Sequence, residues 1–359
     1  MDMRLSGCAG CLLGLAVGDA MGYAVDEKTW EEICQDYGPD GLLGYDSVNG
    51  RAVASSHTQI AAYVANGLLL AVTRGKHESA SRFVGVALKE WARKQNLPGD
   101  PEKCYCWVSH KSVMRQRRCK DIRMLDALRM ELGTPEKPAN RHSTPGPLTG
   151  AMMVGLAYDE KYMQPRQVGA LGAQVVALTN GSGYAFLSGA VLANLIAGIL
   201  HEPDLPLKEQ VLQAIDAMQI QYAFHPQTEE VASCLLRAVS LAESAADPQT
   251  VMEEFSCRDA RECTAAALYA CLVCPEDFDS AMILAINHSG RSAAVGALTG
   301  GILGAKLGAE ALPEFYLETL ECGDVLQTLA MDLATGSPMS GLFNDDWDHK
   351  YIQGLPLSK

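Results

Sequence analysis

Aromatic side chains are scarce in this chain: Phe, Trp and Tyr make up 6% of its 359 residues, against 33 glycines. A core short of large flat side chains must be filled by backbone elements that approach one another closely. Positive charge is short too. Twenty-nine Lys and Arg face 43 Asp and Glu, for a formal net charge of −14. Such a balance repels phosphate backbones, so no nucleic-acid partner is expected. No run of Lys and Arg suited to an anionic membrane surface is read from the sequence, and no membrane association is expected.

Long apolar runs are missing as well. The longest, 186–200, contains Ser188 and Asn194 and is too short to span a bilayer. Sustained alternation of apolar and polar residues is absent, so few or no strands are expected. There is no G-x-S-x-G, no Walker loop and no G-x-G-x-x-G placed after a strand. "LSGC" at 5–8 imitates a lipoprotein cleavage box, but the four residues before it leave no room for an apolar leader.

Cysteine, by contrast, occurs twelve times. The pairs Cys8/Cys11 and Cys271/Cys274 have zinc-ligand spacing. Both lie in apolar stretches without a neighbouring histidine or a knuckle glycine, so buried or half-buried thiols are the expectation. Unpaired thiols in a chain of this length suit a reducing, cytoplasmic setting.

Helical periodicity recurs along most of the chain, for example in 57–75, 80–95, 206–224, 228–245, 260–274 and 315–334. "TWEEICQDYG" at 29–38 opens on a capping threonine with acidic first-turn residues and closes on glycine. Loops rich in Pro, Gly and charge are expected at 97–120 and 134–150. The fold class expected is all-α, one domain over 1–359 with a central cleft.

Glycine costs a helix about 1 kcal/mol relative to alanine, yet two helices carry it every fourth residue. Gly10, Gly14, Gly18 and Gly22 form one ladder, and Gly296, Gly300, Gly304 and Gly308 the other. Ala297, Gly301, Ala305 and Ala309 lie beside the second, and Ala185, Gly189, Ala193 and Ala197 make a third small-residue ridge. Positions four apart share a helix face, so each ridge is a flat strip for close packing in the core.

Five segments in order resemble the ADP-ribosylglycohydrolase family over essentially the whole chain. They are "GCLLGLAVGDAMGYAVD" (10–26), "SSHTQIAAYVANGLLLA" (55–71), "GTPEKPANRHSTPGPLTGAMMVGLAY" (133–158), "ALTNGSGYAFLSGAVLANLIAGIL" (177–200) and "AINHSGRSAAVGALTGGILGAKLG" (285–308). The resemblance implies an all-α fold in which active members hold two Mg²⁺ between an Asp-Asp pair and an Asp-x-Asp-Thr/Ser motif. Carboxylate oxygens suit that hard cation, and the metals position ribose hydroxyls and water for cleavage of a glycosidic bond.

Matched residue by residue, this chain departs at every metal position. The Asp-Asp pair falls on Ser56 and His57, and the last motif falls on Arg291, Ser292, Ala293 and Ala294. The Met-Arg of the substrate loop falls on Thr149 and Gly150, and a usual histidine falls on Asn180. Asp19, Thr58 and Asn287 are kept, and the acidic gate of the first loop is shifted to Asp26 or Glu27. Arginine without a carboxylate repels Mg²⁺, so no metal cofactor is expected.

The candidate ligand-binding residues are Asp19, Asp26, Ser56, His57, Thr58, Asn180, Asn287, Arg291 and Ser292. Arg291 precedes a helix whose free N–H groups make an anion site; it either grips an anion there or fills the vacated pocket and pairs with Asp19 or Asp26. The tail residues Asp345, Asp346, Asp348 and His349 offer another metal cluster or a solvated acidic turn. Three functions follow: a pseudoenzyme binding ADP-ribose, a nucleotide or an ADP-ribosylated protein; a metal-independent hydrolase using Arg291 and His57; or a partner-binding protein with a plugged cleft.

Overall fold

The two glycine ladders find each other in space, although nearly the whole chain lies between them. In the computed structural model, which describes residues 2–95, 104–336 and 345–355, the first third of the chain forms α1 (Met3–Val25), α2 (Trp30–Tyr37), α3 (Ser56–Thr73), α4 (Ala80–Lys94) and α5 (Ile122–Arg129). The middle forms α6 (Leu148–Leu156), α7 (Pro165–Ala177), α8 (Gly183–His201), α9 (Leu207–Gln221), α10 (Thr228–Ala242) and α11 (Pro248–Glu254). The last third forms α12 (Ala260–Val273), α13 (Phe278–Ile286), α14 (Ser292–Leu307), α15 (Glu314–Thr319), α16 (Gly323–Thr335) and α17 (Asp345–Tyr351). Among the described residues there is no strand, only the isolated bridges Val48–Arg51 and Ala52–Leu320. The all-α expectation holds.

The helix ends follow from local chemistry. Thr29 Oγ1 accepts from the Glu32 amide at 3.2 Å while Glu32 Oε2 accepts from the Thr29 amide at 2.8 Å, a reciprocal capping box that starts α2. Asp121, Asp247, Asp259 and Asp277 cap α5, α11, α12 and α13 through their side chains, each worth about 1 kcal/mol. The helix expected over 315–334 is two helices. Between them the Glu321 amide donates to the Ala52 carbonyl and the Ala52 amide to the Thr319 carbonyl, so this backbone pairs with another segment instead of with its own turn.

α1 and α14 run antiparallel and interlock glycine on glycine. A methyl group added at Gly10, Gly14 or Gly18 would overlap the carbonyl of Gly304, Gly300 or Gly296, and one at Gly22 that of Ser292. The reverse additions on α14 meet α1 in the same way. The lost helix propensity is offset by dispersion contacts between the two backbones. The third ridge behaves alike: Gly189 of α8 faces Gly172 and Val176 of α7, and Gly155 of α6 faces Ala193 and Ala197.

The reading that 186–200 is too short to span a bilayer is corrected. α8 reaches 19 residues, and both it and α1 are long and apolar enough to cross a membrane, but 78% and 89% of their apolar windows are buried against other helices. Protein takes the place of lipid around them. All twelve thiols are unpaired. Burial pushes the Cys8 thiol up to about 11 and also holds the Cys11 thiol well above the ordinary thiol range, which makes this pair inert packing groups.

Candidate functional site

Antiparallel packing carries the C-terminal end of α1 to the N-terminus of α14, and the first turn of α3 closes the third side. Asp19 is fully buried there. Its Oδ2 accepts from the amides of Ser55 at 2.9 Å and Thr58 at 3.0 Å and from Thr58 Oγ1 at 2.6 Å, and its Oδ1 accepts from Ser55 Oγ at 2.5 Å. Ser55 Oγ in turn accepts from the His57 amide at 3.1 Å. Asp19 and Ser55 together therefore satisfy the open donors at the start of α3. Burial pushes the Asp19 carboxyl above its ordinary value, and His57 and the Ser55 and Thr58 donors pull it part of the way back.

Asp26 sits just past α1, at the mouth of α14. Its Oδ1 accepts from the Ala293 amide at 3.3 Å and its Oδ2 lies 3.4 Å from Lys120 Nζ. The anion site expected at this helix start is thus filled by a carboxylate of the chain itself. The approach is locked by backbone pairing: the Glu27 amide donates to the Gly290 carbonyl at 2.7 Å, and the Gly290 amide to the Lys28 carbonyl at 3.3 Å. Gly290 has φ 129°, a conformation that favours glycine.

Arg291 pairs with neither Asp19 nor Asp26, which corrects that expectation. Its Nη1 lies 3.6 Å from Glu27 Oε1, because Glu27 is held beside Gly290 while Asp19 is enclosed by α3. A third ion pair closes the other wall. Arg118 grips Glu321 with two guanidinium nitrogens, one at 2.9 Å, and donates to the Ala54 carbonyl at 2.5 Å. The same Glu321 accepts from the Ala54 amide at 3.0 Å.

What remains is a cavity of about 40 Å³ among Asp26, Ser56, His57, Arg118, Lys120 and Arg291, room for a few waters. Ligand pockets usually measure about 300–1,000 Å³. Of the candidates, Asp26, Ser56, His57 and Arg291 line this cavity, and Asp19 and Thr58 lie beneath it.

The others have structural partners. Asn287 clamps Leu42, accepting from its amide at 2.8 Å and donating to its carbonyl at 2.9 Å. Asn180 Nδ2 donates to Thr144. Buried Ser292 donates to the His288 carbonyl at 3.3 Å. Thr149, in the first turn of α6, donates to the His57 carbonyl at 2.9 Å.

The donor set does not fit a pair of divalent cations. Hydroxyls, an imidazole, a guanidinium and two alanines stand at the positions where the family resemblance puts carboxylates, and Asp19 has its oxygens engaged by α3. Among the described residues no three His, Cys, Asp or Glu side chains converge on a possible metal position, the acidic tail included. In that tail Trp347 and Tyr351 are buried, and Lys350 pairs with Asp332 at 2.5 Å. α17 is a docked helix.

Arg118, Cys119 and Lys120, at the end of the loop expected over 97–120, also wall the cavity with Asp121, the cap of α5. A signal for them exists: "RQRRCKDIR" at 115–123 holds five Arg and Lys in a chain of net charge −14.

A family model described as ADP-ribosylglycohydrolase matches residues 2–342. Among solved structures, one titled "ADP-ribosylglycohydrolase-related protein complex" is similar to this chain with 24% identity and a TM-score of 0.62, covering 93% of this chain and 99% of that one. A search of the curated proteins finds no match. Five motifs in order, the helical fold and the family match over nearly the full length agree: the chain belongs to the ADP-ribosylglycohydrolase family.

Proposed function

We propose that the chain is a pseudoenzyme, a family scaffold without the di-magnesium chemistry, whose former cleft is plugged from within and which acts as a structural or partner-binding protein. The observation that carries this reading is the seat of Asp26 at the start of α14, beside a cavity of about 40 Å³. An anionic ligand seated in the cleft would use that helix N-terminus and that volume, and the chain's own side chains occupy both. Twelve unpaired thiols support a reducing, cytoplasmic setting.

The test is hydrolysis of ADP-ribosyl-arginine and ADP-ribosyl-serine peptides with and without Mg²⁺. Release of ADP-ribose no faster than in buffer is expected; Mg²⁺-dependent turnover overturns the proposal.

A second reading is favoured by one atom. His57 Nδ1 is buried and has no hydrogen-bond partner, so an anionic ligand that displaced Asp26 and Glu27 would meet His57, Arg291 and Lys120 together. On this reading the ligand is ADP-ribose or an ADP-ribosylated protein, bound without metal. Calorimetry with ADP-ribose in EDTA tests it; no heat of binding at millimolar ligand removes it. Hydrolysis by Arg291 and His57 has less support, because Glu27 already neutralises the guanidinium.

A further inference from the structure

An opening of about 840 Å³ lies away from the cleft, between α7, α8 and α9. Its floor is made of small residues, Ala170, Ala197, Gly198, Ala214 and Ala217. Gly198 faces open space, since a methyl group added there meets no atom within 4 Å. Asn194 and Gln221 pack over Gly169 of α7, where a side chain would collide with both.

Two polar groups in the wall lack partners. Tyr158 is 4% exposed and Gln210 is 2% exposed, and neither Tyr158 Oη nor Gln210 Oε1 has a hydrogen-bond partner. Gln210 Nε2 donates to the Glu202 carbonyl at 2.7 Å, which orients the amide and leaves its oxygen as a bare acceptor. A buried polar group without a partner is a standing cost of folding, and here two of them border the same groove. Charge on the rim is close to balanced, with Glu160 and Glu202 against Arg166, and with His201 Nδ1 3.6 Å from Glu160. That balance does not favour a phosphate or a strong cation.

We propose that this groove is a binding site for a small, uncharged, largely apolar molecule carrying an N–H or O–H donor for Gln210 Oε1 and a partner for Tyr158 Oη. The volume is that of ordinary ligand sites, most of the lining surface is apolar, and among its polar residues Tyr158 and Gln210 carry buried oxygens left without a partner, which an occupant would engage. This site is independent of the closed cleft and of the pseudoenzyme reading.

The experiment uses the full chain and 2-naphthamide, a fluorescent planar carboxamide, with naphthalene as the donorless control. Saturable binding of the amide is expected, stronger than that of naphthalene. Gly198→Leu fills the floor and should weaken the amide at least tenfold. Tyr158→Phe should weaken the amide about fivefold, leave naphthalene unchanged and keep or raise the melting midpoint, because an unpaired hydroxyl is removed. Circular dichroism confirms that each variant folds. No saturable binding, or binding that folded Gly198→Leu leaves intact, overturns the proposal. So does a wild-type dimer that Gly198→Leu dissolves, since the groove then belongs to self-association.

Discussion

The Asp26 carboxylate accepts a hydrogen bond from the backbone N–H of Ala293, 3.3 Å away. One side chain of the first loop thereby occupies the positive end of α14, where a charged ligand would otherwise be drawn.

Asp26→Ala should therefore do two things. The loss of the cap costs about 1 kcal/mol, read as a lower urea midpoint. The freed helix start, with Arg291 and Lys120 beside it, should take up inorganic phosphate, read as a phosphate-dependent recovery of that midpoint. Wild type should show no such recovery at the same ionic strength, and equal responses in both proteins would sink the idea.

Glycine substitutions should split sharply by position. Gly300→Ala drives a methyl group into the Gly14 carbonyl and should cost about 3 kcal/mol or more. Gly198→Ala meets open space and should gain up to about 1 kcal/mol from helix propensity. Chemical denaturation of the pair provides the check.

Arg118→Lys should behave nearly as badly as Arg118→Ala. A single ammonium cannot span both Glu321 oxygens and the Ala54 carbonyl as the guanidinium does. A loss of about 2 kcal/mol is expected for each. Full retention of stability by the lysine variant would show that the fork geometry is dispensable.

Acid should weaken the fold before the carboxylates titrate. His288 is buried, and burial holds it below its ordinary value of 6.5, against the opposing pull of Glu253 and Asp26. Its Nδ1–H donates to the Ser289 carbonyl at 3.0 Å, and Nε2 has no partner. The unfolded chain takes up the proton first, so stability is full above about 6.5 and declines as pH falls toward the folded value, by about 1 kcal/mol per pH unit. Urea midpoints from pH 7.5 to 5.5 should show this slope, and His288→Gln should flatten it.

The two glycine ladders made α1 and α14 legible, because a four-residue period of glycine has few uses outside helix contact. That the ladders pair with each other was not legible, since nothing local tells one flat strip which strip it meets. At the site, the substituted motif positions were found from the order of motifs. The partners were not. Arg291 could be assigned to Asp19 or Asp26 by charge alone, but α3 encloses Asp19 and the Glu27–Gly290 backbone pairing selects Glu27. Arg118 and Lys120 come from a loop whose course over the cleft depends on tertiary contacts with Glu321 and Asp26.

The α1–α14 interlock also sets a schedule for synthesis. The glycine face of α1 leaves the ribosome first, but its partner follows roughly 280 residues later, about 15 to 60 s at ordinary elongation rates. During that interval one of the most apolar helices of the nascent chain has no partner for its flat face. Premature collapse and chaperone capture compete for it until α14 emerges. Completion of this fold is tied to the emergence of α14.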